Sequence, residues 1–445
     1  MWTELHSHVN IANGSAQYRH RYAEPESGLA ALCAGLFDFV MVVPACGESP
    51  SFVEGYRTAA SSAGRLLLVV VLNGREGVGD SVYASNAACF SALNERFVLR
   101  EVAHGGWLGC DEGMSVLVVD RFTAGRRLPA RQGVGLARKI GADVALELVA
   151  AGRVRHPFIA MTDADARLPE DYFRRITEIE PDCSAAMFPF WHEPGGETDV
   201  DRATALYEIR LRYVQRGLQW ANSPYAFHTV GSTMAVHALS YAQVRGVPKR
   251  QAAEDFYLLG KLSKQRPLTR LSGAPVRIRS RLSNRVPFGT GAETGKLARG
   301  GDLKLYHPDC FAAVQNLIGG LRSLSASPPD QEAIEALLSR MSPPVRDFLQ
   351  RQDVLRIWPT LGEQAPSRGA RLGRLNDWFD GFRTLKMIHD VRDHCAASLP
   401  WKDAVRRAPF MNDLEDDGAC LIGPRQELLR LEQVLPRLVG PRALS

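Results

Sequence analysis

Short apolar runs alternate with helix-like segments up to about residue 310. Five runs rich in Val, Ile, Leu and other apolar residues are predicted to be strands: 37–45, 65–74, 114–120, 156–165 and 183–190. Continuous apolar runs are typical of strands that are covered on both faces. Between the third and fourth runs, segment 133–152 repeats apolar residues at steps of four, which predicts a helix. Strands that alternate with helices indicate a mainly parallel sheet with right-handed crossovers.

The pattern changes after about residue 310, where strand-like runs disappear. Apolar residues at helical spacing predict helices within 329–341, 375–391 and 425–435. We therefore expect three parts in the chain. They are an N-terminal extension at 1–30, an α/β domain at 31–310 and an α-helical C-terminal region at 311–445.

Composition narrows the class of protein without naming its activity. The chain of 445 residues is 45% hydrophobic and 23% charged, which is ordinary for a soluble globular protein. A net charge of +5 is compatible with an anionic small substrate and does not indicate a nucleic-acid partner. Eight scattered cysteines without a Cys-x-x-Cys pair, and no secretory signal, predict a reduced protein in the cytoplasm.

Two aspartates follow the fourth apolar run directly. Asp163 and Asp165 stand at its carboxyl end, where parallel sheets bind their ligands. Paired carboxylates bind Mg²⁺ or Mn²⁺, usually together with substrate phosphates. The alternative is a solvated turn, in which aspartate is common.

A second pair of carboxylates begins an apolar helix. Glu254 and Asp255 precede the run "FYLLGKL". A buried carboxylate within reach of a hydroxyl group can take its proton as a general base, and burial raises its pKa towards neutrality. The competing interpretation is that acidic residues simply favour the first turn of a helix. With the aspartate pair upstream, we favour Asp255 as the base.

Several of these motifs occur together in an order that resembles the family 2 glycosyltransferases of the GT-A fold. The resemblance covers about 37–310 and rests on "VVPACGES", "VVVLNG", "TDAD", "HTVGSTMAVH" and the Glu-Asp pair. It implies a nucleotide-sugar donor, UDP- or GDP-linked, bound with Mn²⁺ or Mg²⁺, and inversion at the anomeric carbon. It also implies roles for single residues: the nucleotide pocket at Pro44, Ala45, Glu48 and Asn73; the metal and diphosphate at Asp163 and Asp165; the acceptor floor at Gly231 and Ser232, which the pattern places on a short strand; and the base at Asp255. Glu254 is expected either to orient the acceptor or simply to favour the start of the helix.

One departure from the family leaves part of the nucleotide pocket open. The family often has an acidic residue after the second strand, where this chain has Asn73. Asp120, at the end of the third apolar run, is therefore a second candidate for contact with the nucleotide. The base of the donor is not determined by this pattern.

Three further residues have weaker support. Arg285 adjoins a glycine-rich loop and is expected to contact the diphosphate, because guanidinium groups match phosphate oxygens; a solvated basic segment is the alternative. His307 corresponds to a late histidine that serves some GT-A enzymes as a third metal ligand, although a lone histidine is more often structural. Trp191 follows the fifth apolar run and is a candidate for stacking on an acceptor sugar, with packing in the core as the alternative.

Two other functions remain open on sequence. A nucleotidyltransferase acting on sugar phosphates would also bind nucleotide and metal, but it would want a glycine-rich, basic phosphate loop after the first strand. A non-catalytic nucleotide-sugar-binding scaffold would present the C-terminal helices to a partner. The acceptor is expected to be a carbohydrate, a lipid-linked sugar or a small metabolite. The C-terminal helices could also mediate peripheral membrane contact or a homo-oligomer.

Overall fold

The computed structural model describes residues 2–111, 113–282, 290–363 and 365–411, without the side chains of 2–7 and 290–292. The described chain divides into two compact units. The first contains residues 1–201 and 229–293, and the second contains 202–228 and the described residues from 294 onward. This division follows contacts in space, so the expected bounds at residues 30 and 310 stay a prediction.

Strands and helices alternate through the first unit, and helices dominate the second. Strands β1 to β14 are, in chain order, Phe39–Ala45, Leu66–Asn73, Arg100–Ala103, Gly106–Asp111, Met114–Arg121, Phe158–Met161, Ala166–Arg167, Ala185–Met187, Phe190–Glu193, Met234–His237, Leu268–Arg270, Val276–Arg279, Lys304–Leu305 and Leu399–Pro400. Helices α1 to α16 are Trp2–Arg21, Phe52–Ser61, Asp80–Phe97, Val134–Ala150, Tyr172–Thr177, Thr198–Trp220, Ala238–Gln243, Glu254–Leu262, Thr290–Ala298, Pro308–Leu324, Gln331–Arg340, Pro343–Arg351, Val354–Glu363, Arg368–Trp378, Gly381–His394 and Trp401–Arg407. Two 3-10 helices cover Pro25–Leu32 and Pro409–Met411.

A nine-stranded mixed sheet is the framework of the first unit. Its strand order is β11-β8-β10-β6-β1-β2-β5-β4-β3. Strands β6, β1, β2 and β5 run parallel, and β10 joins the sheet antiparallel to β6 and β8. Helices flank the sheet, and the prediction of an α/β fold with an α-helical C-terminal region is confirmed. The order changes direction at β1, which has β2 on one side and β6 on the other, and such a switch point opens a crevice at the carboxyl ends of the strands.

Burial explains why the strand signals were strong. Every residue of β1 and β2 is buried, as expected for central strands covered on both faces. Helix α4 packs closely on this sheet: a Cβ added to Gly141 would come within 2.4 Å of the Val42 Cγ1 atom. The same helix is buried along most of its length, including Arg138, Lys139 and Asp143. Charged side chains in such a place need partners, because burying an unpaired charge is costly.

The N-terminal segment forms a helix where the sequence predicted only a polar extension. Helix α1 carries Tyr18, whose hydroxyl donates to Asp143 on α4 at 2.6 Å. Lys139 of α4 in turn donates to both Tyr18, at 2.5 Å, and Asp143, at 2.7 Å. The polar composition of this segment concealed a helix that is held to α4 by a buried polar cluster.

The second unit has its own apolar core. Helices α10 to α16 contribute most of it, with large buried side chains such as Phe311, Trp358 and Met387. The predicted helical segment 329–341 corresponds to α11, and 375–391 corresponds to the end of α14 and to α15, separated at Phe379 and Asp380. The segment predicted at 425–435 lies outside the described residues. Within the described ranges, no helix has the length and apolar character needed to cross a bilayer.

Candidate active site

A cleft of about 500 Å³ opens beyond the carboxyl ends of β1, β2 and β6. It lies at the switch point of the sheet, and its size suits a small-molecule ligand. Glu48, Asp163 and Asp165 supply negative charge, and Arg75 and Arg281 supply positive charge. The remaining wall consists of small, apolar and amide side chains: Pro44, Cys46, Asn73, Gly77, Val78, Gly79, Val82, Gly133, Val134, Ala164 and Gln251.

The ends of β1 and β2 form one wall of this cleft, as the sequence predicted for Pro44, Glu48 and Asn73. Asn73 is buried, and its Nδ2 donates to the carbonyl oxygens of Ala45 and Val71, each at 3.1 Å. Its Oδ1 accepts no hydrogen bond from the described residues and is left to accept one from a ligand. Ala45 lies behind the wall and fixes the Asn73 side chain through its backbone. An amide oxygen thus stands where the family resemblance led us to expect a carboxylate, and contact of Asn73 with a nucleotide stays a prediction.

Asp163 and Asp165 project from the turn after β6, and each carboxylate binds an arginine. Arg138 Nη2 donates to Asp163 Oδ1 at 2.8 Å. Arg281 donates to Asp165 Oδ2 from Nε at 3.0 Å and from Nη2 at 2.6 Å, and it also donates to Glu48. Burial raises the pKa of Asp165; Arg281 opposes this effect, whereas the charges of Asp163 and Glu48 add to it. The turn after β6 and the segment after β1 thus bring three carboxylates to the cleft, and Arg281 links two of them, Glu48 and Asp165.

A buried tyrosine holds the backbone of the turn that carries the two aspartates. Tyr56 on α2 donates its hydroxyl to the backbone oxygen of Asp163 at 2.7 Å and lies within 3.1 Å of the Ala166 oxygen. Burial raises the pKa of the Tyr56 hydroxyl, and the nearby aspartates raise it further, so it stays a neutral donor. Its ring is fully buried. The orientation of the aspartate pair is therefore set by packing as well as by charge.

The aspartate pair fits a divalent cation that is shared with a phosphate ligand. Asp163 Oδ2 and Asp165 Oδ1 accept no hydrogen bond from the described residues, so each carboxylate keeps one oxygen for a metal. No group of three or more His, Cys, Asp or Glu side chains is arranged for a metal among those residues. Mg²⁺ and Mn²⁺ sites commonly combine one or two carboxylates with phosphate oxygens and water, which matches this donor set.

Glu254 and Asp255 begin α8, as the sequence predicted. Glu254 is buried and accepts from Arg138 Nε at 3.3 Å. Asp255 is half-buried, and Oδ1 accepts from the Phe256 backbone N–H at 2.7 Å. Burial raises the pKa of Asp255 to about 7; the charges of Glu254 and Asp163 add to this, and Arg138 and the Phe256 N–H oppose it. A carboxylate with this pKa exchanges protons at neutral pH, as a general base must.

Arg138 connects the two carboxylate pairs, and sequence reasoning missed it. Its side chain is 1% exposed and binds both Asp163 and Glu254. Burial by itself lowers the pKa of the guanidinium, but the neighbouring carboxylates raise it above its usual value, so it stays charged. The sequence did contain a signal, namely charged residues, Arg138 among them, within a helix whose apolar residues at steps of four predict burial. Arg281, which binds Asp165 and Glu48, was also not predicted, and Arg285, the arginine predicted to contact the diphosphate, lies outside the described residues.

Gly231 and Ser232 lie in the turn before β10, not on a strand as predicted. A Cβ added to Gly231 would be 2.8 Å from Arg138 Nη2 and 3.6 Å from Asp255 Oδ2. Ser232 is buried, and its backbone oxygen accepts from Thr162 Oγ1 at 2.9 Å. The structure therefore brings Gly231 next to the predicted base, while contact of either residue with an acceptor stays a prediction.

Three predicted residues have structural roles in their places. Asp120 ends β5 and caps the following turn, accepting from the Phe122 N–H at 3.0 Å and from the Thr123 N–H at 3.1 Å. Trp191 is 8% exposed within β9, and neither it nor Asp120 lines the cleft in the described part of the chain. His307 belongs to the second unit, where Nδ1 accepts from the Asp309 N–H at the start of α10. Their functional roles stay predictions.

Comparison with known proteins finds likeness in structure only. No family model matches the chain, and no curated protein matches it by sequence. Residues 1–349 of S. aureus TarS, solved with UDP-GlcNAc, are 10% identical, with a TM-score of 0.36 and coverage of 78% of this chain and 91% of that one. A longer S. aureus TarS structure is 12% identical, with a TM-score of 0.33 and coverage of 77% and 55%. A mycobacterial protein is 15% identical, with a TM-score of 0.28 and coverage of 64% and 84%. TM-scores this low do not establish a common fold or function, so the function is inferred from the cleft.

Proposed function

We propose that this protein is a glycosyltransferase that moves a sugar from a nucleotide-diphosphate donor to a hydroxyl acceptor with the help of Mn²⁺ or Mg²⁺. One observation carries the proposal: the half-buried carboxylate of Asp255 stands at the head of α8 next to Glu254, which shares the guanidinium of Arg138 with Asp163 at the cleft. A base and a diphosphate-binding motif in one place are what transfer to a hydroxyl requires. The sheet switch point supports the placement of a nucleotide in this cleft.

The chemistry assigns a task to each group. Asp255 takes the proton of the acceptor hydroxyl while the acceptor oxygen forms a bond to the anomeric carbon. The bond from that carbon to the donor phosphate breaks, and the nucleoside diphosphate leaves with the electron pair. Asp163 and Asp165 hold the cation, which when bound neutralises the negative charge of the diphosphate. A single base opposite the leaving group gives inversion at the anomeric carbon.

Contacts in the cleft also bear on which nucleotide the donor carries and on the alternative function, nucleotidyl transfer. Asn73 Oδ1 is placed to accept a hydrogen bond from the base of the donor, and uracil and guanine both carry ring N–H groups. A nucleotidyltransferase would need backbone amides after β1 for a phosphate chain. The amide of Gly47, the glycine in that loop, already donates to Asn86 Oδ1 at 2.8 Å. This contact favours sugar transfer over nucleotidyl transfer.

A donor screen tests the proposal. Purified protein with Mn²⁺ is incubated with nucleotide sugars and a panel of hydroxyl acceptors, and the released nucleoside diphosphate is measured. A parallel incubation with nucleoside triphosphates and sugar phosphates measures released pyrophosphate. A glycosyltransferase releases nucleoside diphosphate in the first incubation, whereas a nucleotidyltransferase releases pyrophosphate in the second. A binding scaffold releases neither, although Mn²⁺-dependent protection against thermal unfolding by the donor would still be seen.

Two variants then separate the roles of the carboxylates. Asp255→Asn should lower transfer by about 100-fold or more and leave donor binding close to wild type, because it removes only the base. Asp165→Asn should weaken Mn²⁺-dependent donor binding as well as transfer. Asp182→Asn, at an exposed position before β8, is the matched control and should change neither. Full activity in Asp255→Asn would refute the assignment of the base, and unchanged donor binding in Asp165→Asn would refute the metal role.

A further inference from the structure

Arg138 is a buried cation with an unusual set of partners. It lies in the second turn of α4, is 1% exposed, and bridges two carboxylates from distant parts of the chain, Asp163 at 2.8 Å and Glu254 at 3.3 Å. Its third nitrogen, Nη1, is buried without a hydrogen-bond partner among the described residues. A fold gains little stability from such a group, because removing charges from water costs about as much as pairing returns. The arrangement therefore points to a role other than stability.

The backbone beside Arg138 is shaped to admit its guanidinium. A Cβ at residue 231 would lie 2.8 Å from Arg138 Nη2, closer than real Cβ contacts allow. Gly231 is not among the glycines with positive φ, so its backbone does not itself require glycine. The absent side chain instead provides the space in which Arg138 reaches Asp163. The same virtual atom lies 3.6 Å from Asp255 Oδ2, so Arg138 and Asp255 meet at this glycine.

We propose that Arg138 is a positioning residue that couples the donor-binding carboxylate Asp163 to the Glu254–Asp255 pair, and that Gly231 provides the space for this coupling. The inference rests on the proposed function and deepens it. By donating to both carboxylates at once, the planar guanidinium fixes the direction of Asp163 towards the cleft and that of Glu254 next to the base. Arg138 acts through these groups and touches no reacting atom itself.

The pKa of Asp255, the proposed base, is a quantity that would not change if Arg138 had a purely structural role. The charged groups that act on Asp255 are Glu254 on its own helix, Arg138 on α4 and Asp163 after β6. Of these, Arg138 lowers the pKa of Asp255 and the other two raise it. Loss or displacement of Arg138 should therefore shift protonation of the Glu254–Asp255 pair to higher pH.

Three variants and one control test the coupling. Arg138→Gln removes the charge, Arg138→Lys keeps the charge but cannot reach both carboxylates in the same plane, and Gly231→Ala leaves every charge in place. Gly231→Ala should fold, because the atom it displaces is the end of a side chain. Gly260→Ala on α8, where an added Cβ meets nothing within 4 Å, is the control.

The measurements are the pH dependence of kcat/KM and Mn²⁺-dependent binding of the donor found in the screen. On the acidic side of the pH profile, kcat/KM rises as the base loses its proton, and this rise is the acidic limb. We expect Arg138→Gln and Gly231→Ala to move the midpoint of the acidic limb to higher pH by about half a pH unit or more, and to weaken donor binding by about tenfold. Compared with Arg138→Gln, Arg138→Lys should return the midpoint of the acidic limb most of the way to the wild-type pH, but it should recover little of the donor affinity. If the acidic limb and the donor affinity of Gly231→Ala both match those of the Gly260→Ala control, the proposal is overturned.

A spectroscopic titration separates this proposal from the proposed function. The infrared difference between wild type and Asp255→Asn reports protonation of Asp255 without any transfer reaction. If the wild type transfers no sugar but its Asp255 signal still moves to higher pH in Gly231→Ala, the function is wrong and the coupling of Arg138 to Asp255 stands. If transfer occurs and neither the infrared midpoint nor the limb moves, the coupling is wrong and the function stands.

Discussion

Asp255→Asn should make the folded protein more stable at neutral pH, although it removes the proposed base. The substitution keeps the shape of the side chain and its acceptor for the Phe256 N–H, which lies 2.7 Å from Oδ1. It removes a carboxylate that burial and the charge of Glu254 make costly to ionise. Active-site residues often lower the stability of the folded protein, so a destabilising carboxylate at position 255 is expected if Asp255 is the base.

The size of the gain follows from proton linkage. The pKa of Asp255 rises from 3.8 in the unfolded chain to about 7 in the folded one, so the folded state binds the proton more tightly. Stability therefore falls as pH rises from about 4 to about 7, and the whole penalty is present above that range. At about 1.4 kcal/mol per pH unit the full penalty is about 4 kcal/mol. Because Glu254 titrates with Asp255 and the latter is half-buried, we expect about 2 to 4 kcal/mol.

Urea unfolding at about pH 5 and about pH 8 measures this effect. Hydrogen exchange of peptides from β1 and β6 gives the free energy of unfolding of the first unit, separately from the second. The difference between Asp255→Asn and wild type should be less than half of its full value at the lower pH, because part of the penalty is already present there, and it should grow to the expected value at the higher pH. Asp182→Asn, which replaces an exposed carboxylate, should show no comparable growth.

The opposite result has a clear meaning. If Asp255→Asn is no more stable than wild type at about pH 8, Asp255 is not held in an environment that disfavours its charge. The argument for a base with a pKa near neutrality would then fail, whatever the variant does to activity. A gain of equal size at both pH values would indicate better packing of the amide and would equally refute the titration.

Two further predictions concern stability around α4. Asp143→Ala should destabilise the first unit by about 3 to 5 kcal/mol in urea unfolding, because it leaves the buried Lys139 with only the more distant carboxylate of Glu24, at 3.8 Å; a loss below about 1 kcal/mol would show that this pair is solvated. Gly141→Ala should cost about 1 to 3 kcal/mol, since its Cβ would press against Val42 at 2.4 Å. Gly55→Ala on α2 meets nothing within 4 Å and should be neutral or slightly stabilising by the same measurement, and an equal loss at both glycines would contradict the packing argument.

Local patterns determined the framework of the first unit. The central strands were visible in the sequence because a strand covered on both faces must be apolar throughout, and that demand leaves a continuous run. The ends of the runs gave the edge of the sheet at which Asn73 and Asp163 meet, because parallel strands bring their carboxyl ends together. The short strands β3 and β4 near one edge of the sheet were not predicted, since a half-exposed strand of a few residues leaves little periodicity to detect.

Other features depended on contacts between distant parts of the chain. Helix α1 looked like a polar extension because its stability comes from packing on α4 and not from an apolar stripe of its own. Likewise, the pattern placed Gly231 and Ser232 on a strand, whereas the structure has them in the turn beside Arg138. Periodicity records which face of an element is apolar, and it does not record which element will cover that face.

The sequence by itself determined that carboxylates stand at the ends of a buried α/β sheet and at the head of a helix. Only the tertiary structure decided that Asp163 and Glu254, ninety-one positions apart, share the guanidinium of Arg138. It also decided that Asp255 is buried enough to titrate near pH 7. The physical reason is that the residue types and spacings that form strands and helices are local, whereas the desolvation and pairing of a charge depend on every group that folding brings around it.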